Sequence, residues 1–298
     1  MRIVVSGASG LIGSALTDSM RTDGHTVIAL VRREALGVHE SSWAPAAHVI
    51  DHDVIASADV IVNLAGSSIG SKRLTSGYKH VVKQSRIDST STIADAIAVA
   101  NPTVILLQSS SMGYYGDKGS MELTERVEAG EGFLADVCQA WEAAAQPAVD
   151  AGATVAYVRT GLVLAGHGGF AHRLLPFVKR GLLRSLGSGD ALQSWITLED
   201  QVRGLRFLME VAHGGPVNMI APRPATMAQI IAAIAHAFGS RPGLPVPAWA
   251  LRAVVGEAAD DLLNSQAGVP GVLNRLGFTW SHPTLEDAAR YVAEDSLK

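Results

Sequence analysis

Two hydrophobic patterns alternate along the first half of the chain. Short apolar runs rich in Val and Ile at Arg2–Ser6, Thr26–Val31, Ala58–Leu64, Thr103–Gln108 and Thr154–Thr160 predict strands, and His48–Ile50 predicts a weaker one. Between them lie segments of helical period: Leu11 to about Gly24, with apolar residues at 11, 12, 15, 16 and 20, then Tyr78–Ala100 and Phe133–Asp150. Apolar strands alternating with amphipathic helices predict a parallel sheet with helices on both faces.

The pattern changes after Gly161. Gly166, Gly168 and Gly169 mark one loop, and Gly181, Gly187 and Gly189 mark another. Thr197–Val211 reads as a helix with Thr197 and Asp200 in capping-box positions, Pro216–Ile220 as a further strand, and Thr226 with Gln229 as a second capping box. The stretch 241–248, with Pro242, Pro245 and Pro247, reads as a connector. Three short helical segments follow, the last starting near Thr284.

The turn between the first strand and the first helix is Gly7-Ala8-Ser9-Gly10-Leu11-Ile12-Gly13. Glycines at this spacing allow a sharp turn, close approach of backbone to a pyrophosphate, and tight packing of helix on sheet. The N–H groups of Ser9, Gly10, Leu11 and Ile12 then face a phosphate at the positive end of the helix. The second strand ends in Val31-Arg32-Arg33, without the carboxylate that would bind a ribose 2′-hydroxyl. Arginine there suits a 2′-phosphate, and Arg32 is the first residue past the strand. NADP is the cofactor this implies. The expected fold class is α/β: a Rossmann doubly wound parallel sheet with a smaller, mostly helical C-terminal lobe. The expected domains are 1–165, completed by 190–221, and a lobe of 166–298, with 245–298 as its helical end.

Composition narrows the partners. A net charge of −4 with no Lys/Arg block argues against nucleic acid and anionic membranes. No apolar run approaches a membrane span, and the apolar run at the start is too short for a signal segment, so the cytoplasm is the expected location. The single cysteine, Cys138, excludes an internal disulfide. Asp51-His52-Asp53, read as a strand end, has diverging side chains and no metal site is expected. The remaining partner is a small polar or anionic substrate, with the protein a monomer or homodimer.

With Gly7-x-x-Gly10-x-x-Gly13 the chain resembles the extended, epimerase-like branch of the short-chain dehydrogenase/reductase superfamily. Asn63-Leu64-Ala65-Gly66 is similar to its motif beside the cofactor, Ser109 to Gly116 to its active-site segment, and Arg159 to Leu164 to the segment that runs past the nicotinamide. Ser85-Arg86-Ile87, Trp141-Glu142-Ala143, Gly187-Ser188-Gly189 and Trp195-Ile196 resemble the SDR39U1-like ("SulA-like") group of the NAD(P)-dependent epimerase/dehydratase family. The tail, through Gly256-Glu257, Pro270 and Gly277-Phe278, resembles that group's small C-terminal domain. The resemblance implies cofactor contacts at Leu64, Ala65, Gly66, Ser109 and Leu162, with His52 near the adenine. Arg86 would reach a phosphate or a substrate carboxylate, or else sit on a solvated helix face.

The resemblance also implies a tyrosine and, four residues later, a lysine as acid/base pair. Aligned through Glu142, those positions hold Leu134 and Cys138, which have neither the proton nor the charge. Ser110 and Tyr115 are the catalytic candidates that remain: Ser110 binds a substrate oxygen or satisfies a strand end, and Tyr115, like Tyr114, brings a phenol beside it or packs. Lys72, Arg73 and Lys79 suggest an anionic ligand. Glu125 is a solvated or cleft carboxylate, His167 a substitute base or an idle loop residue, and Trp195 a cleft wall or a core anchor. Two functions stay open: an NADP-dependent oxidoreductase or epimerase with a modified acid/base set, and a non-catalytic NADP(H) sensor or scaffold.

Overall fold

The computed structural model describes residues 1–70, 72–256 and 258–297; Glu257 of the family-like tail lies outside them. The N-terminal part runs β1 (Arg2–Ser6), α1 (Leu11–Thr22), β2 (Thr26–Val31), β3 (Glu40–Ser42), α2 (His52–Ala56), β4 (Val60–Asn63), α3 (Ser76–Ala100), β5 (Ile105–Ser111), α4 (Phe133–Ala143), α5 (Gln146–Ala151) and β6 (Thr154–Thr160). The remainder runs β7 (Leu162–Leu164), α6 (Gly169–Val178), β8 (Leu183–Leu186), β9 (Leu192–Gln193), β10 (Trp195–Thr197), α7 (Leu198–Val211), β11 (Gly215–Met219), β12 (Ala225–Thr226), α8 (Met227–Ala237), β13 (Leu244–Val246), α9 (Ala248–Val255), α10 (Ala258–Leu263), α11 (Gly271–Leu276) and α12 (Leu285–Asp295).

Seven strands form one parallel sheet in the order β11-β6-β5-β4-β1-β2-β3. Strand order reverses between β1 and β4, the switch point at which open α/β sheets form a ligand crevice at the carboxyl ends of their strands. The two faces bury separate apolar clusters. Leu16 and Met20 of α1 join Val202, Leu205 and Leu208 of α7 on one face. Ile55 of α2 and Ile93 and Ile97 of α3 cover the other. A third cluster, from α6, α8 and α12, is the core of the C-terminal lobe. No described helix is long and apolar enough to cross a membrane.

The third strand is not at His48–Ile50. Residues 45–47 form a 3-10 turn, His48 adopts left-handed φ of 52°, and Val49 bridges back to Ala44. The strand is Glu40–Ser42, an edge strand whose polar sequence carries no hydrophobic signal. The Pro-rich connector contains β13, which pairs in parallel with β8, and Pro245 is tolerated because β13 is an edge. The predicted helix 133–150 is interrupted at Ala144–Ala145, and among the described residues four helices rather than three follow residue 247.

Both capping predictions fall at helix starts, with one difference. Thr226 and Gln229 exchange the two bonds of a capping box. Thr197 caps α7 by accepting from Asp200 N–H at 3.2 Å, but the Asp200 carboxylate turns away from the cap. It accepts the N–H groups of Ser281 at 2.7 Å and His282 at 2.9 Å and so ties the C-terminal segment to the sheet. Asp200 is fully buried. Removing it strands both donors, so Asp200→Ala should lose about 2–4 kcal/mol of stability, read as a lower urea midpoint at unchanged slope.

Candidate functional site

The crevice begins at the end of β1. Gly7 has φ of 68°, and a Cβ there would lie 2.7 Å from Leu64 O; a Cβ at Gly13 would lie 2.2 Å from Gly7 O. These contacts demand glycine and draw β1, α1 and the loop after β4 together. Gly10, the N-cap of α1, has only Gly7 O near its missing side chain, at 3.3 Å. No side chain caps α1, no acid lies in its first turn, and Ser9 and Gly10 are exposed. The helix therefore presents unpaired N–H groups and its positive end to the crevice.

Beneath this turn lies a buried polar knot. Ser6 Oγ donates to Asn63 Oδ1 at 2.5 Å and accepts the N–H groups of Leu64 and Ala65. Asn63 Nδ2 donates to Gln108 Oε1 at 2.9 Å and to Thr90 Oγ1 at 3.1 Å. The knot fixes the carboxyl ends of β1, β4 and β5 in one row. Leu64, Ala65 and Gly66 leave β4 directly above it.

The two arginines after β2 have different fates. Arg33 makes a bidentate pair with Glu40 at 2.7 and 2.6 Å, and that pair holds the Glu40 carboxyl down to about 2. Arg32 is exposed and has no partner among the described residues. His52 is also exposed, on the first turn of α2. Asp51 of the same tripeptide caps that helix, so the tripeptide opens a helix instead of ending a strand.

Arg86 is neither a solvated arm nor a loose one. It is buried, donates from Nη1 to Ser67 O at 3.0 Å and Val82 O at 2.9 Å, and stacks on Trp141 with Cζ 4.8 Å from the ring centroid. A Cβ at Gly66 would already press on its side chain. Burial lowers the Arg86 pKa, and the guanidinium lies in the electrostatic neighbourhood of Cys138. It buttresses the Ala65–Ser67 segment from behind. Of the other predicted cations, Lys72 and Arg73 are exposed on the rim, while Lys79 lies over the Phe133 ring.

The largest departure from expectation is at Ser110 and Tyr115. Register places Ser110, Arg159 and Asn218 side by side on β5, β6 and β11. Arg159 clamps both Glu142 oxygens at 2.9 Å and donates to the Tyr115 hydroxyl, also at 2.9 Å. Ser110 donates to Glu142 at 2.6 Å, and Tyr115 donates to Asn218 Oδ1 at 2.8 Å. Tyr115 is wholly buried, and burial pushes its phenol up to about 12. Its hydroxyl and that of Ser110 are both engaged in this buried network. Tyr114 packs its ring on Arg159, 3.4 Å from Cζ. Glu125 accepts the N–H groups of Asn218 and Val272 and so joins the frame.

Trp195 is a core anchor with no face on a cleft. His167 is half-exposed and pairs with buried Asp295 at 2.7 Å. Ser109 lies half-buried near the end of β5, and Leu162 is half-buried at the start of β7, where its N–H donates to Ser194 O. Leu134 and Cys138 sit where the sequence places them, on the α4 face beside the end of β5. Burial pushes the Cys138 thiol up to about 12.

Sequence reasoning missed Ser111. Strand alternation sends Ser110 inward and leaves Ser111 half-buried at the strand end, its Oγ accepting Gly113 N–H at 3.1 Å. Asp261 of α10 was missed as well. It shares one short helix with Asp260, and nothing local separates the outward acid from the inward one.

A Rossmann sheet with an uncapped, glycine-lined helix N-terminus at its switch point defines a dinucleotide-binding class of protein. The NAD dependent epimerase/dehydratase family model matches residues 3–220, and the model of a domain of unknown function, DUF1731, matches residues 246–292. The chain belongs to the NAD dependent epimerase/dehydratase family, as an SDR39U1-like member with a DUF1731 C-terminal domain. It is 39% identical over 291 residues to an epimerase family protein of Mycobacterium tuberculosis, covering 97% of this chain and 96% of that one. The crystal structure of human SDR39U1, isoform 2, with NADPH aligns at a TM-score of 0.89 and 30% identity over 99% of this chain and 100% of that chain. A nucleoside-diphosphate sugar epimerase of Corynebacterium glutamicum aligns at a TM-score of 0.80 and 31% identity, over 99% of this chain and 59% of that one.

Two measurements check the site. Arg159→Met leaves the Glu142 carboxylate without its cation and should cost about 3–5 kcal/mol, seen as a lower denaturation midpoint. Burial disfavours the Cys138 thiolate and keeps the group a neutral, sealed thiol near neutral pH. Ellman's reagent at pH 8 should therefore leave the native chain unlabelled and label it fully in urea.

Proposed function

We propose that the chain binds NADP(H) in this crevice and acts as an oxidoreductase or epimerase-type enzyme on a small, polar or anionic carbonyl compound. The observation that carries the cofactor is the exposed, uncapped N-terminus of α1 beside the unpartnered Arg32. The pyrophosphate would rest on the N–H groups at Ser9, Leu11 and Ile12 around Gly10, whose own N–H donates to Gly7 O, and the 2′-phosphate on the Arg32 guanidinium. The backbone of Leu64, Ala65, Gly66 and Ser109, and Leu162 across the crevice, would flank the remainder. Bound there, the reduced nicotinamide supplies a hydride. The human relative crystallised with NADPH supports this reading, and the Corynebacterium relative favours sugar-nucleotide chemistry.

A second reading is an NADP(H)-binding sensor or scaffold without turnover. It draws on Leu134 and Cys138, which replace the usual acid/base pair. A partner captured only when NADPH is present would favour it, whereas turnover with carbonyl compounds or nucleotide sugars would eliminate it.

The cofactor assignment is tested by fluorescence titration with NADPH and NADH. NADPH should bind more tightly by roughly 10- to 100-fold, as a charged hydrogen-bonded pair warrants. Arg32→Ala should erase the preference while leaving NADH affinity nearly unchanged. Equal affinities in the unaltered chain would remove the role of Arg32.

A further inference from the structure

Reduction of a carbonyl needs a proton for the substrate oxygen. The usual donor position holds Leu134, and the side chains around it narrow the alternatives. Glu142 is clamped through both oxygens by Arg159. Tyr115 is buried, with its proton on Asn218. Cys138 is sealed in the core. Arg86 keeps its charge on backbone carbonyls.

Asp261 is placed differently. From the point where a Cβ on Gly113 would stand, Leu134 Cβ is 3.3 Å away, Ser111 Oγ 3.4 Å and Asp261 Oδ1 3.9 Å. A carboxyl, a hydroxyl and the apolar residue at the vacant tyrosine position thus converge at the end of β5. Asp261 is half-buried, and its hydrogen-bond partner, Gln266 Nε2, is distant at 3.4 Å. No cation pairs with it among the described residues; Arg252 pairs with its neighbour Asp260 instead. Burial raises the Asp261 carboxyl above its ordinary range, against the opposing bond from Gln266.

The helix that carries Asp261 is fixed over this spot. Leu74 bridges to Gly256 just before α10, and Leu123 bridges to Gly268 just after it. Lys118 N–H donates to Ser265 O, and Ser265 N–H to Asp117 Oδ1. α10 therefore spans the loops that follow β4 and β5.

We infer that Asp261 is the proton donor of this site. The assignment rests on the oxidoreductase reading above, and its substrate class is an aldehyde, a ketone or the keto form of a sugar. In the step, hydride from the reduced nicotinamide forms the new C–H bond and the C=O π bond breaks. The released electron pair takes the proton of Asp261, and the carboxylate left behind regains a proton from water. The C-terminal region supplies the acid that the α4 face lacks.

The test has two arms. The first is infrared spectroscopy of the cofactor-free protein as pH is raised through the ordinary carboxylate range. The protonated-carboxyl C=O band should include a component that is lost only above that range, absent in Asp261→Asn and retained in Asp260→Asn. The second is NADPH oxidation with 4-nitrobenzaldehyde as probe. Asp261→Asn should lose roughly 100-fold in rate, the scale of general-acid catalysis, while titrating NADPH normally, and Asp260→Asn should match the parent. A missing infrared band, or an Asp261→Asn rate within threefold of an active parent, overturns Asp261 alone. A parent that binds NADPH but never oxidises it with the probe removes the reductase reading and the proton delivery with it.

Discussion

The buried pair of Arg159 and Glu142 is the centre of a polar network that ties α4 to β6 and, through Tyr115, reaches β11. Arg159 is nearly without solvent contact, yet three of its nitrogens have partners on α4 and in the turn after β5. Burial works against its charge, and the hydrogen bonds and charge of Glu142 outweigh that cost and raise its pKa. From Tyr115 the chain of bonds continues to Asn218 on β11, and from Asn218 to the carbonyls of Leu123 and Val269. One cation therefore fixes the loop after β5 between sheet and C-terminal segment. Such a network is worth its desolvation only when every member is satisfied.

This arrangement separates two jobs that call for the same residue types. Ser110, Tyr115 and Glu142 have side chains suited to acid/base work, and here they are bound to one another through the buried Arg159 network. Ser111 is the serine left at its edge. Asp261 shares that edge, although it comes from a segment far along the chain.

Much of the sheet was legible because its central strands are apolar and its helices amphipathic. Arg2–Ser6, Thr26–Val31 and Thr154–Thr160 are strands over the residues that periodicity predicts. The edge strand Glu40–Ser42 was illegible because it buries little and is held by the Arg33–Glu40 pair. β13 was hidden by its prolines, which local rules read as a connector. At the site, the glycine turn was legible because its constraint is backbone geometry. The fates of Ser110, Tyr115 and Trp195 were not, because register and burial decided them. Asp261 depends on contacts between segments that meet only in the folded chain.

The pairing of His167 with Asp295 bears on the order in which the molecule is assembled. The Asp295 carboxylate also accepts Gly166 N–H at 2.7 Å, across 129 residues of sequence, and Gly168 next to it packs on Leu11. During ribosomal synthesis the sheet can gather from its N-terminal end first. The wall beside α1 can be latched only once α12 has emerged. A nascent chain halted before that point would carry the glycine turn and most of the sheet but an unfastened border.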